Sequence, residues 1–278
     1  MSLRSANKSF GTYDHKAWFD EGQGLYFSAR ALRAQWVQLR RNFKKECRQH
    51  PKQPTGIFFT RLKGMPRASM LLLAYATEMY LKSGLVKSFS RCSHRLIDRD
   101  TRSFGHNLSQ LANEINLSMS SENLVRLELL TNLLLDARYP ISPSEIYGWE
   151  GQRDYTEKLN ARTQRVWSKN LFGELCRLIQ KIRNHVSRID SDSENPSTIL
   201  HAELENNGYI TLRHGGNLAP MITYSDEDDR ITPRTVDEIK DLAFDLGWVE
   251  VKYYWSIFSI RRDGKKKTVA LHDASFPV

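Results

Sequence analysis

The chain has 278 residues, 40% of them hydrophobic and 26% charged, enough for one large domain or two ordinary ones of soluble, globular composition. Its longest apolar stretch, Met70 to Leu81, is too short to span a bilayer and contains Glu78, and the N-terminal residues show no apolar signal-peptide core, so no membrane partner is expected. The three cysteines (Cys47, Cys92, Cys176) are far apart and lack any paired metal-ligand spacing; a reducing cytoplasm is the expected home.

The net charge of +9 is unevenly spread: residues 195–278 hold 10 Lys+Arg against 13 Asp+Glu, and the preceding 194 residues carry a net +12. Such an asymmetry points to a polyanionic partner, RNA or DNA first, with a merely solvated basic face as the other reading.

Taken in chain order, residues 1–19 lack periodicity and read as a flexible arm. From Glu21 to about Cys47, Leu25, Ala29, Leu32, Trp36, Leu39 and Phe43 recur at steps of four and three and predict an amphipathic helix. Arg30, Arg33, Arg41 and Lys44 form a second stripe on it, a candidate nucleic-acid contact. After the breaker-rich HPKQPTG, a helix from about Pro66 to Val86 is apolar almost all round and belongs at the centre of a bundle, with Glu78 and Lys82 one turn apart and able to pair. Two further helices are expected at about Asn107–Ile115 and Ser121–Asp136, the latter capped by Ser120 or Ser121. A last long helix is expected from about Arg153 to Arg188.

Residues 191–198 read as a polar linker, and beyond it the pattern turns to strands. GYITLRHGGNLAPMITYS supplies two strands around a Gly-Gly turn. TPRTVDEIKDLAFDLG follows as a short helix with Thr232 as its cap and Gly247 as its stop. Two more strands then join through Asp263-Gly264, with the Val251–Ile260 strand a possible exposed sheet edge. The expected fold class is α+β: a five-helix bundle over residues 20–190, then a small β-β-α-β-β sheet domain over residues 199–278.

No phosphate-cradling glycine loop, GxSxG elbow or HExxH stands in the chain. Gly215-Gly216 reads as a turn, the run Asp226 to Asp229 as a solvated loop, and the histidines are scattered, so neither a metal nor a cofactor is expected. Aromatic residues beside basic ones (Trp36 with Arg40; Tyr147 and Trp149 with Arg153) are able to stack bases, or to anchor core and loops.

Three segments carry a resemblance. Ala76, Glu78, Leu81 and Lys82 fit A-x-E-x-x-L-K; Gly105, His106, Leu108 and Leu111 fit a Gly-His-x-Leu-x-x-Leu helix; Arg138, Tyr139 and Pro140 fit an Arg-Tyr-Pro ending. In order and spacing these resemble the HEPN superfamily of helical bundles, over roughly residues 20–190. The resemblance implies association with RNA, often in toxin or antiviral defence systems, as a homodimer or a subunit of a larger complex. Some members are metal-independent endoribonucleases in which an Arg, often followed by Asn, precedes a His by four to six residues near the last helix; others lack the motif and bind or assemble.

Arg183-Asn184 opens such a motif, but Arg188 stands where the histidine is expected. His185, two residues after Arg183, lies about 200° round a helix from it. Arg183, Asn184 and His185 are one candidate catalytic set, Arg99 with His106 a second; His185 reads sooner as a cation at a helix end, and Arg99 with His106 sooner as helix-start packing. Arg183 and Arg188 join the candidate phosphate contacts. The expectation is a catalytically degenerate binding or assembly module, with an active endoribonuclease as the alternative.

Overall fold

The computed structural model describes residues 13–49, 56–88, 104–136, 164–191, 194–204, 208–218, 220–225, 235–248, 259–263 and 268–272. Arg99, the Arg138-Tyr139-Pro140 segment, Tyr147, Trp149, the run 226–229 and residues 251–258 lie outside the described residues, as does the side chain of Lys44. The chain is a mixed helix-and-sheet protein.

Helix α1 (His15–Gln49) buries Tyr26, Ala29, Arg33 and Trp36, which recur at helical steps of three and four. It begins inside the segment expected as a loose arm, because its first turns have a surface to pack on. Phe19 meets Tyr80 edge-on at 5.1 Å, Lys82 lies 5.4 Å from the centre of the Trp18 ring, and the Ser83 hydroxyl donates to the His15 carbonyl at 2.7 Å.

Helix α2 (Gly56–Ser88) starts well ahead of the expected Pro66, which stands in its interior. A proline there withholds an N–H from the carbonyl four residues back. That carbonyl, on Leu62, accepts the indole N–H of buried Trp36 at 2.9 Å, so α1 supplies the donor that α2 lacks. The all-round apolar sequence has the expected consequence: α1, α3 (Leu108–Glu114), α4 (Ser121–Asp136) and α5 (Lys169–Arg188) all pack on α2. Gly84 makes room for the tightest approach, since a Cβ there would sit 3.0 Å from Ile115 and 3.1 Å from Val186.

Asn107 caps α3, its side chain accepting from the Gln110 N–H at 3.1 Å, and Asn116 with φ 55 ends it. Ser120 rather than Ser121 precedes α4 as the cap, its hydroxyl accepting from the Asn123 N–H at 3.4 Å.

The last helix is shorter than its sequence suggested. A helical turn at 164–167 gives way to Ser168, extended at φ −61 and ψ 120, whose hydroxyl caps α5 through the Leu171 N–H at 3.1 Å; residues 153–163 lie outside the described residues. Arg33 holds this break from inside. Its guanidinium donates to the carbonyls of Val166 at 2.7 Å, Trp167 at 3.0 Å and Ser168 at 2.9 Å, and lies over the rings of Trp36 at 4.4 Å and Phe172 at 4.9 Å. A buried charge persists only where its hydrogen bonds are met, and here carbonyls at an interrupted helix meet them.

Among the described residues the sheet has one strand more than expected: β1 (Thr198–Glu203) opens at the last residue of the expected linker. The order is β1-β2-β3-β4-β5, with β2 (Tyr209–His214), β3 (Met221–Ser225), β4 (Ser259–Asp263) and β5 (Thr268–His272). All neighbours are antiparallel except β3 and β4, which run parallel because α6 (Val236–Asp245) crosses between them. Thus β4 is an inner strand; the Val251–Ile260 strand expected as an edge lies outside the described residues up to 258. Thr235, not Thr232, caps α6 in a capping box with Glu238, and Gly247 at φ +78 follows its end as expected.

Strand β2 is buried on both sides. Ile210 and Leu212 pack with Ile222, Ile239, Ala243 and Trp248 under α6, while Tyr209 joins Ile199 and Leu218 in the core of the helices. Arg213, on the helix side by strand alternation, donates to the Glu114 carboxylate at 3.4 Å and to the Glu114 carbonyl at 3.2 Å. Both side chains are buried, at 2% and 3% exposed, so an ion pair ties the sheet to the end of α3.

Candidate functional site: a basic groove along the last helix

Helix α5 presents its polar residues in a stripe. Arg177, Gln180, Lys181, Asn184, His185 and Arg188 recur at steps of three and one, which keeps them on one face. Together with Leu117 from the α3–α4 connection they line an open groove of about 460 Å³. Arg177 and Arg188 bound a length of about 16 Å at the helical rise. Among the described residues no carboxylate lines the groove, so the charges of Arg177, Lys181 and Arg188 add rather than cancel.

The opposite wall is built from the end of α3. The His185 ring donates from Nε2 to the Ile115 carbonyl at 2.7 Å, which places the proton of a neutral ring on Nε2. The Lys181 ammonium donates to the Ser118 carbonyl at 2.8 Å, and Asn184 accepts from the Gln180 side chain at 3.1 Å. From the other side, the Lys87 ammonium donates to the carbonyls of Val186 at 3.2 Å and Ile189 at 3.0 Å, closing the end of α5; burial lowers its pKa.

The residues proposed from sequence are divided by this geometry. Asn184, His185 and Arg188 line the groove. Arg183 is on another side of α5, directed at α1, where it donates to the Gln23 amide oxygen at 3.4 Å and lies 5.8 Å from the centre of the Phe19 ring. Arg183 and His185 therefore face different neighbours, as 200° of helix rotation requires. Arg30 and Arg41 are exposed on α1, but Arg33 is buried and absent from that stripe, its charge committed to the carbonyls at the α5 break. Trp36, 2% exposed, is a core residue with Arg40 over its ring at 5.6 Å, not a platform for bases.

His106 lies elsewhere. Its Nδ1 is 3.1 Å from the carboxylate of Glu78, a buried residue that also pairs with Lys82 at 2.7 Å. The ring lines a second cavity, about 430 Å³, with Phe104, Glu128, Thr131 and Asn132. Sequence reasoning overlooked Arg177, Gln180 and Lys181, although the helical period from Arg188 backwards would have found them. Among the described residues no group of three or more His, Cys, Asp or Glu could hold a metal ion, and no helix is long and apolar enough to cross a membrane. Comparison with protein-family models, with curated proteins and with solved structures gave no match to this chain.

Proposed function

We propose that this protein is a HEPN-like, RNA-associated binding or assembly module of a bacterial defence or toxin-type system, working as a homodimer or within a larger complex, and that it holds RNA through the α5 groove without cutting it. The observation that carries this reading is the groove itself, with Arg177, Lys181 and Arg188 on one helix face and no acidic residue among the described residues of its lining. Phosphate neutralisation supplies sequence-independent affinity of this kind. The divergence of Arg183 from His185 supports holding over cutting, because a single protomer does not aim both groups at one phosphate.

The alternative, a metal-independent endoribonuclease, has one observation in its favour: His106 is oriented by a buried carboxylate at the wall of a cavity, an arrangement suited to proton transfer.

Fluorescence anisotropy with a labelled single-stranded RNA tests the groove. Lys181→Glu and Arg188→Glu should each weaken binding more than Arg30→Glu on α1 does. Three groove cations predict a slope of about −2 for log affinity against log salt on a single strand. Groove variants that bind like the wild type would refute the site. Incubation with total RNA separates the two readings: intact RNA supports binding alone, and cleavage lost on His106→Ala or His185→Ala overturns it.

A further inference from the structure

The groove has two walls, and only one of them is α5. The other is the short segment from Glu114 to Ser118, which carries Leu117 into the lining. Beyond Glu114, the last residue of α3, this segment has left the helix: Asn116 is at φ 55, and the N–H groups of Asn116 and Leu117 donate to the carbonyls of Asn113 and Ala112. What holds it against α5 are the His185 bond to the Ile115 carbonyl at 2.7 Å and the Lys181 bond to the Ser118 carbonyl at 2.8 Å. What holds it from behind is Arg213 of β2, bound to the carbonyl and the carboxylate of Glu114. Gly84 of α2 closes the third side, where a Cβ would press on Ile115 at 3.0 Å.

We infer that Arg213 is a positioning residue for the groove, acting through Glu114, and that the C-terminal sheet therefore sets the affinity of a site to which it contributes no lining residue among those described. The inference rests on the groove reading above. Two groove residues, Lys181 and His185, are oriented by carbonyls of the very segment that Arg213 anchors. Ile115 and Leu117 stay packed in the core of the helices, so loss of the anchor loosens the segment rather than expelling it, and the carbonyls that orient Lys181 and His185 lose their fixed placement. A buried ion pair suits this task because it is directional: its charges must stay together, so the sheet and the end of α3 keep one relative placement.

Charge and position make opposite predictions for one substitution, which gives the test its force. Glu114→Gln removes a negative charge near a basic groove. If electrostatics alone matter, this variant binds a labelled single-stranded RNA as well as the wild type or better. Positioning through the pair predicts weaker binding, by roughly three- to tenfold, for a coupling carried through intermediate residues. Arg213→Lys keeps the net charge but loses the planar fork, and should weaken binding in the same direction. Amide hydrogen exchange at residues 116–118 gives a readout that needs no RNA and should quicken in both variants, while α1 and α2 stay protected. Glu114→Gln or Arg213→Lys with wild-type exchange in that segment overturns the inference, and so does undiminished binding where Lys181→Glu binds poorly. Absence of RNA binding by the wild type sinks the groove reading instead, and the exchange data then decide on positioning by themselves.

Discussion

Replacing Trp36 with Phe removes the indole N–H that the Leu62 carbonyl receives at 2.9 Å. Because Pro66 stands four residues further along the same helix, that carbonyl has no helical donor to fall back on. Leaving a buried acceptor unmet costs about 1–3 kcal/mol, and the smaller ring adds roughly 1–2 kcal/mol of lost packing. The two contributions separate in a double-mutant cycle with Pro66→Ala. An alanine at 66 restores the N–H, and a carbonyl oxygen has two lone pairs, so indole and amide can share it. Trp36→Phe should then cost only its packing share, and the coupling between the two positions should be about 1–2 kcal/mol. Urea unfolding of the four proteins measures it. Equal costs for Trp36→Phe in both backgrounds would refute the idea that the tryptophan replaces the donor withheld by the proline.

Arg33→Gln should destabilise the protein by about 2–4 kcal/mol, because carbonyls at the α5 break lose their donors, whereas exposed Arg30→Gln should stay within about 0.5 kcal/mol; thermal unfolding of the pair checks the contrast. Burial pushes the Tyr80 phenol up to about 12, with Arg183 partly opposing it. A folded value above the unfolded one means that folding favours the protonated ring. Stability is therefore untouched below about pH 10 and falls as the pH rises from there through about 12. Tyr80→Phe should flatten that part of the profile in unfolding measured against pH. Its hydroxyl is buried and finds no hydrogen-bond partner among the described residues, so the same substitution should cost little near neutrality.

How much of this was legible in the sequence depends on the range of the forces involved. Local patterns announced local structure. The apolar α2 was placed at the centre by its composition, Glu78 and Lys82 paired across one turn as their spacing allowed, and Gly247 followed the end of α6 where a left-handed residue is needed. The boundaries that moved were those decided by a partner far along the chain. Helix α1 extends back to His15 because α2 receives Trp18 and Phe19; α2 runs through Pro66 because Trp36 supplies a donor; and α5 starts at Ser168 because Arg33 secures the carbonyls before it.

The candidate site divides along the same line. Helical rotation alone separates Arg183 from His185 and gathers Arg177, Lys181 and Arg188 on one face, so the direction of each side chain on α5 was determined by sequence. Tertiary structure decided which arginine is a surface charge and which a buried clasp, since a residue's burial depends on what packs over it. It also decided that a groove exists at all, because its second wall comes from the end of α3, held there by an arginine on a strand 99 residues away in the chain.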